Sequence, residues 1–228
     1  HEKRFIIDTF YNKDYPTDIK PRILFLDIET YSEDQKLPKF NHNVAIINAI
    51  TIFDSYSKTY NSYFILPKNK DKEKTIEYIY NIISEYEIDK NNCNIFMFNN
   101  EKDLLDEFCS YLIKNPPDLI TAWNINFDIS YITRRIYDNF GYEGLKAISI
   151  FHRVSSKITY AIDNNYELND YNVIPGCSII DMLELYKKVS PVKPDSLALQ
   201  EIAMKELGEG KVEYNSDDPI KLYVDNFE

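Results

Sequence analysis

Hydrophobic positions along this chain switch between two rhythms, and the switches divide it into elements. Ile23-Leu24-Phe25-Leu26 is an unbroken apolar run leading into Asp27-Ile28-Glu29, the pattern of a buried strand. The polar stretch Tyr31–Asn43, with Pro38, reads as a loop. Val44–Phe53 and Thr59–Leu66 are rich in β-branched and aromatic residues and flank the turn-like Asp54-Ser55-Tyr56-Ser57-Lys58, which predicts an antiparallel hairpin. The rhythm then becomes helical over Asp71–Tyr86, with apolar residues at 76, 79, 82, 83 and 86. A short strand follows at Asn94–Phe98. A second helix, Glu101–Lys114, carries Leu104, Leu105, Phe108, Tyr111 and Leu112 and is stopped by Pro116-Pro117-Asp118.

Leu119–Trp123 reads as a strand, Asn124–Phe127 as a turn, and Asp128–Phe140 as a helix ended by Gly141. The β-branched segments of Ile148–Val173, around Asp163-Asn164-Asn165, predict a β-hairpin. Ser178–Asp181 is a short strand, and Met182–Val189 and Ser196–Leu207 are helical, with Gly208 and Gly210 after them. Strands alternating with helices predict an α/β fold with a mixed sheet. Residues 1–20 have no clear period and are expected to belong to a preceding segment, with 21–228 as the domain. The tail, Lys211–Glu228, reads as acidic and irregular.

Composition narrows the function classes. The chain is 44% hydrophobic with 19 Tyr and 13 Phe, enough for a sizeable core. Glycine is scarce at 5 residues, and neither glycine-rich phosphate motif occurs. A net charge of −11 speaks against a protein that coats nucleic-acid backbone. It leaves open a cleft that takes a short strand through metal ions, with part of the acidity serving as ligand. Cys93, Cys109 and Cys177 are scattered, as expected of buried thiols in a reducing, cytoplasmic setting. With only His1, His42 and His152, a His-based zinc site is not expected. The apolar run Val44–Phe53 is too short for a membrane span and is broken by Asn48 and Thr51. A first residue that is His rather than Met suits a piece of a longer chain.

The candidate chemistry begins at Asp27 and Glu29. In a strand, positions i and i+2 project to one face. Two adjacent acids repel and are costly to bury, and a divalent cation between them removes that cost. The plain alternative is two surface acids at a strand end. The same D-x-E spacing at Asp71-Lys72-Glu73 sits in a charged cluster and reads as a solvated helix start. Asn124-Ile125-Asn126-Phe127-Asp128 puts a further acid at a strand-to-helix junction, where the common role is a helix cap. Asp128 gains chemical interest if it meets Asp27 and Glu29 in space. Arg134, Arg135, Arg153, Lys157, Lys187 and Lys188 are candidate DNA-backbone contacts and equally suit solvated faces and ion pairs. Trp123, Phe25 and Phe53 read as core.

On these residues the chain resembles a known family. ILFLDIET is similar to the first exonuclease motif of family B DNA polymerases, and PDLITAWNINFDISYITRRI to the second. RVSSKI, SIIDMLELYKK and SLALQEIAMKELGEGK follow in the order seen in the tailed-bacteriophage members, so the resemblance covers the chain from Pro21 on. It implies an RNase-H-like (DnaQ-like) 3′→5′ exonuclease fold, a mixed sheet flanked by helices with an extra β-hairpin, that proofreads for a DNA polymerase, a nucleotidyltransferase. It further implies that Asp27 bridges two ions, Mg²⁺ or Mn²⁺. Glu29 would bind one of them and contact the 3′-terminal nucleotide, and Asp128 would complete the set from the other side. Phe127 would shape the site beside unstacked terminal bases, and Asn124 matches the motif's Asn. Partners implied are the single-stranded 3′ end of a primer, the polymerase domains of a parent chain and replication accessory proteins, with no membrane.

Two departures stand out. The spacing from Asn124 to Phe127 is one residue shorter than the family pattern. The third motif, Tyr-x-x-x-Asp, has two matches, Tyr166–Asp170 and Tyr214–Asp218, both read as chance, so the true motif is expected beyond Glu228. The family counterpart of Asp181 reads as structural, a cap or sheet-end contact. The 148–173 hairpin resembles the one that helps part primer from template. The competing readings are a stand-alone DnaQ-like exonuclease, which needs its own last carboxylate, and a non-catalytic nucleic-acid-binding scaffold, against which the intact Asp27, Glu29 and Asp128 weigh.

Overall fold

Alternation along the first strand sets the geometry of the molecule. In the structure, a computed structural model describing residues 20–31, 45–86, 88–164, 174–191, 194 and 196–210, β1 (Ile23–Tyr31) buries Leu24, Leu26 and Ile28 on one face. Phe25, Asp27 and Glu29 therefore leave by the other. β2 (Ile46–Asp54) and β3 (Thr59–Ile65) form the expected antiparallel hairpin. After α1 (Lys72–Glu85), a 3-10 turn at Lys90–Asn92 leads into β4 (Cys93–Phe98), α2 (Glu101–Lys114) and β5 (Leu119–Ala122). The chain continues through α3 (Ile125–Ala147), α4 (Ser156–Asn164), β6 (Ser178–Asp181), α5 (Met182–Val189) and α6 (Leu199–Leu207).

The strands form one mixed sheet in the order β4-β3-β2-β1-β5-β6. β1 is antiparallel to β2 and parallel to β5, and β6 continues parallel to β5. Leu104, Leu105, Phe108 and Leu112 of α2 and Ile125, Ile129, Ile132 and Ile136 of α3 pack with Leu24, Leu26, Ile52, Tyr63 and Ile120 into one core. Their i, i+3, i+4 spacing is what turns a helix stripe onto a sheet. The mixed α/β architecture agrees with the sequence reading. Among the described residues no helix is long and apolar enough to cross a membrane.

Four expectations are corrected. Residues 156–164 form a helix, not the first arm of a β-hairpin; 165–173 lie outside the described residues. Buried Ile158, Ala161 and Ile162 have helical spacing, which outweighs the β preference of their branched side chains. Helix α3 begins at Ile125 rather than Asp128, and helical residues resume after a break at Gly141 (φ 66°, ψ −161°), a conformation open to glycine. Helix α6 begins at Leu199 rather than Ser196. Phe25 is 45% exposed, because the face it shares with Asp27 is not covered as the core face is; its ring meets Phe53, and Phe53 meets Tyr60 at 4.8 Å. Residues 1–19 and 211–228, including Tyr214–Asp218, and the match Tyr166–Asp170 also lie outside the described residues.

Candidate active site

Asp27 stands opposite Thr51 and Glu29 opposite Ala49 in the β1–β2 ladder. Asp27 is exposed and Glu29 half-buried, while Ile28 between them is buried on the core side. The ladder loses register between Glu29 and Thr30, whose partner is Ile47, so Asn48 is an extra residue in β2. Such a bulge bends its strand and re-aims nearby side chains.

The second element approaches from β5. That strand ends at Ala122, and Asn124 takes a left-handed backbone (φ 65°, ψ 44°) with no side-chain cap bond. Asparagine adopts this conformation more readily than most residues. The Asn124 amide donates to Asp181 Oδ1 (3.3 Å) and its carbonyl accepts from the Phe127 amide (3.1 Å). Helix α3 starts at once, which places Asp128 in its first turn, where the helix dipole favours an anion. Asp128 is nonetheless buried, at 5% exposure. Its carboxyl is pushed up to about 8, first by burial and then by the charge of Asp27; its own backbone amide pulls down, and Glu29 and Asp181 add to the rise. The acids of β1 and α3 therefore share one electrostatic field.

Asp181 is itself a cap, accepting from the amides of Leu183 (2.8 Å) and Glu184 (3.3 Å) at the start of α5, in keeping with the structural role implied for it. Phe127 is 38% exposed and stacks on Tyr131 at 5.7 Å. The Tyr131 hydroxyl donates to the Ala45 carbonyl (2.7 Å), tying α3 to the start of β2.

The chain matches the family model described as DNA polymerase family B, exonuclease domain, over residues 2–202. It belongs to this family. The exonuclease domain is 32% identical over 228 residues to the DNA-directed DNA polymerase of Escherichia phage RB69, covering 95% of this chain and 24% of that relative. It is 37% identical over 124 residues to the DNA-directed DNA polymerase of Enterobacteria phage T4, covering 54% of this chain and 13% of the relative. A DNA polymerase of invertebrate iridescent virus 6 matches at 28% over 127 residues, covering 55% of this chain and 10% of the relative. The chain thus spans about a quarter or less of the length of these polymerases.

Exonuclease domains of this family generally use divalent metals, and the acids here suit that chemistry. All are hard oxygen donors of the kind Mg²⁺ and Mn²⁺ accept. The raised affinity of Asp128 for a proton marks a site crowded with negative charge that a cation would balance. Among the described residues, no three His, Cys, Asp or Glu side chains converge closely enough to hold a metal ion as they stand. The coupling of Asp27, Glu29 and Asp128 is electrostatic rather than a closed ligand cage.

The cationic candidates separate. Arg134 pairs with Asp138 (3.0 Å), Arg135 with Glu101 and Asp138, and Lys187 with Glu184. Arg153 and Lys188 are exposed. Trp123 is half-buried, its indole N–H donating to the Leu197 carbonyl (3.2 Å), an anchoring role. Of the three cysteines, read from sequence as buried thiols, Cys93 and Cys109 are buried and Cys177 is half-buried, all free. Burial pushes the Cys109 and Cys177 thiols up to about 12. The feature that sequence reasoning passed over is the bulge at Asn48. Its signal is a lone amide in the run Ile46-Ile47-Asn48-Ala49-Ile50.

Proposed function

We propose that this exonuclease domain removes nucleotides from the 3′ end of single-stranded DNA by two-metal hydrolysis, as the proofreading part of a DNA-directed DNA polymerase acting in the cytoplasm. The observation that carries this reading is the response of Asp128 to the charges of Asp27 and Glu29. It joins the two sequence motifs in one field.

In this reading Asp27, exposed on the open sheet face, Glu29 and Asp128 are the residues that would hold the ions. Glu29 would also face the terminal nucleotide, and Asp128 would contribute from the helix. Two bound divalent ions would supply an activated water and stabilise the leaving 3′ oxygen. The carboxyl of Asp128 must give up its proton to serve as a ligand. Phe127, held by its stack on Tyr131, offers an exposed ring face on which an unpaired base can stack. Asn124 turns the chain so that α3, with Phe127 and Asp128 in its first turn, begins directly after β5. Any further carboxylate of the ligand set would come from outside the described residues.

The test is digestion of 3′-labelled single-stranded DNA by the whole protein, with Mg²⁺ or Mn²⁺, beside its Asp27→Ala variant. Loss of about a hundredfold or more is expected, the scale of removing one group that stabilises developing charge. Equal rates would overturn the assignment.

A further inference from the structure

Buried Glu101 and half-buried Arg135 form an ion pair that the reaction itself does not use. Glu101, the first residue of α2, is 7% exposed and accepts from Arg135 Nε (2.8 Å) and Nη2. The same carboxylate accepts from the backbone amide of Ile47 (2.8 Å). Ile47 is the residue immediately before the bulge, and the bulge faces the Glu29–Thr30 step of β1. Arg135 lies two helical turns after Asp128 on α3. One chain of contacts therefore runs from the helix that carries Asp128, through Arg135 and Glu101, to the irregular strand end beside Glu29. Asn139 of α3 adds a weaker bond to Glu101 (3.4 Å), and Tyr131 of α3 reaches the Ala45 carbonyl.

Stability alone is a poor reason for this arrangement. A buried ion pair seldom stabilises more than well-packed apolar residues would, and its best-attested use is to fix register. The bulge is not a local optimum either, since Asn48 keeps a buried Oδ1 with no hydrogen-bond partner. Both features are accounted for if the direction of Glu29 relative to Asp128 is what they hold.

We propose that Glu101 and Arg135 are positioning residues of the exonuclease site, clamping α3 to the bulged end of β2 so that Glu29 and Asp128 meet the same cations. The inference rests on the metal-dependent reading above. The carboxylates come from two elements that no covalent neighbour holds together. A bidentate guanidinium–carboxylate contact constrains distance and angle at once. Its second acceptor bond, from Ile47, carries that constraint into the strand.

The test uses the whole protein. Arg135→Met alone strands a buried charge and can unfold the chain. The double variant Glu101→Gln/Arg135→Met removes both charges while keeping an acceptor for Ile47. Mn²⁺ binding is read by calorimetry without DNA, beside thermal melting and the kcat and KM for single-stranded DNA. Positioning predicts that the folded double variant loses about ten- to a hundredfold in Mn²⁺ affinity, the range seen for partners that orient metal ligands. It also predicts a lower kcat with little change in KM. A lower melting temperature with wild-type Mn²⁺ affinity and kcat would make the pair purely structural and overturn the proposal. If the wild-type protein binds no Mn²⁺, or Asp27→Ala binds it equally well, the metal-site reading fails first, and the two failures are told apart.

Discussion

Asp54 and Asp128 are both buried aspartates, and their environments drive them in opposite directions. At Asp54, 0% exposed, burial alone would raise the carboxyl. The Tyr111 hydroxyl (2.6 Å), the Tyr56 amide (2.8 Å) and the Arg22 guanidinium (3.3 Å) overcome it and hold the group below its usual range. At Asp128 its own backbone amide opposes burial but does not overcome it: the charges of Asp27, Glu29 and Asp181 add to the rise, and the carboxyl reaches about 8. Burial is common to both, so the partners make the difference. Asp54 is a finished clasp between β1, the β2–β3 turn and α2. Asp128 is a group whose charge is left for something else to balance.

The sharpest way to break this contrast is at Asp128. In the whole protein, Asp128→Asn should lower exonuclease activity by about a hundred- to a thousandfold. The same variant should remove a pH dependence of stability. The folded carboxyl titrates near 8 against 3.8 for the ordinary group, so the folded state holds more protons between those values. Its contribution is fully present below about pH 4 and is lost as pH rises through about 8. The loss is on the order of several kcal/mol, read as a melting temperature that falls from pH 5 to 9 in the wild type and less in Asp128→Asn. Mn²⁺ added at pH 7 should release a proton, seen as a buffer-dependent heat of binding.

At Asp54 the sign reverses. Tyr111→Phe removes a donor to a buried carboxylate and should cost about 1.5–3 kcal/mol in chemical denaturation at neutral pH. The stabilisation from a lowered carboxylate is present above about pH 4 and is lost as pH falls through its folded value, so the wild-type advantage over Tyr111→Phe should shrink on acidification. An advantage that grows in acid would show that Asp54 is not the group Tyr111 serves. A smaller effect is expected at Phe127, where truncation to Ala should weaken single-stranded DNA binding by about 1–2 kcal/mol, the stacking of one base, with Mn²⁺ affinity unchanged. Smallest is Asn124. Asn124→Gly should leave stability within about 0.5 kcal/mol, whereas Asn124→Val, β-branched in a left-handed conformation, should cost about 1–2 kcal/mol. Equal stability of the two would mean that the turn is not constrained as described.

Much of the scaffold around this contrast could be read from residue order. The D-x-E at the end of an apolar run was legible because alternation in a strand needs no distant information. Helix α2 matched its predicted limits because its cap, stripe and proline stop are all local. Asp128 could be placed at a junction but not at a depth, since its burial depends on α3 lying across strands far away in sequence. The bulge at Asn48 depends on pairing between β1 and β2 and leaves little trace in either alone. Residues 156–164 misled because Ile158, Thr159 and Ile162 favour strands one by one, while their spacing favours a helix. Arg135 read as a possible DNA contact because nothing nearby in sequence announces Glu101 as its partner.

The left-handed Asn124 bears on how such sites are recognised in other chains. A single residue in that conformation reverses the path from strand to helix, and α3 can begin without the extra residue that the usual motif spacing contains. What locates the acid is rotation about the helix axis, counted from the first turn, rather than a tally from the asparagine. A search that insists on a fixed interval between Asn and Asp would discard this domain. One that asks for a sharp turn followed by an acid in the first helical turn would keep it.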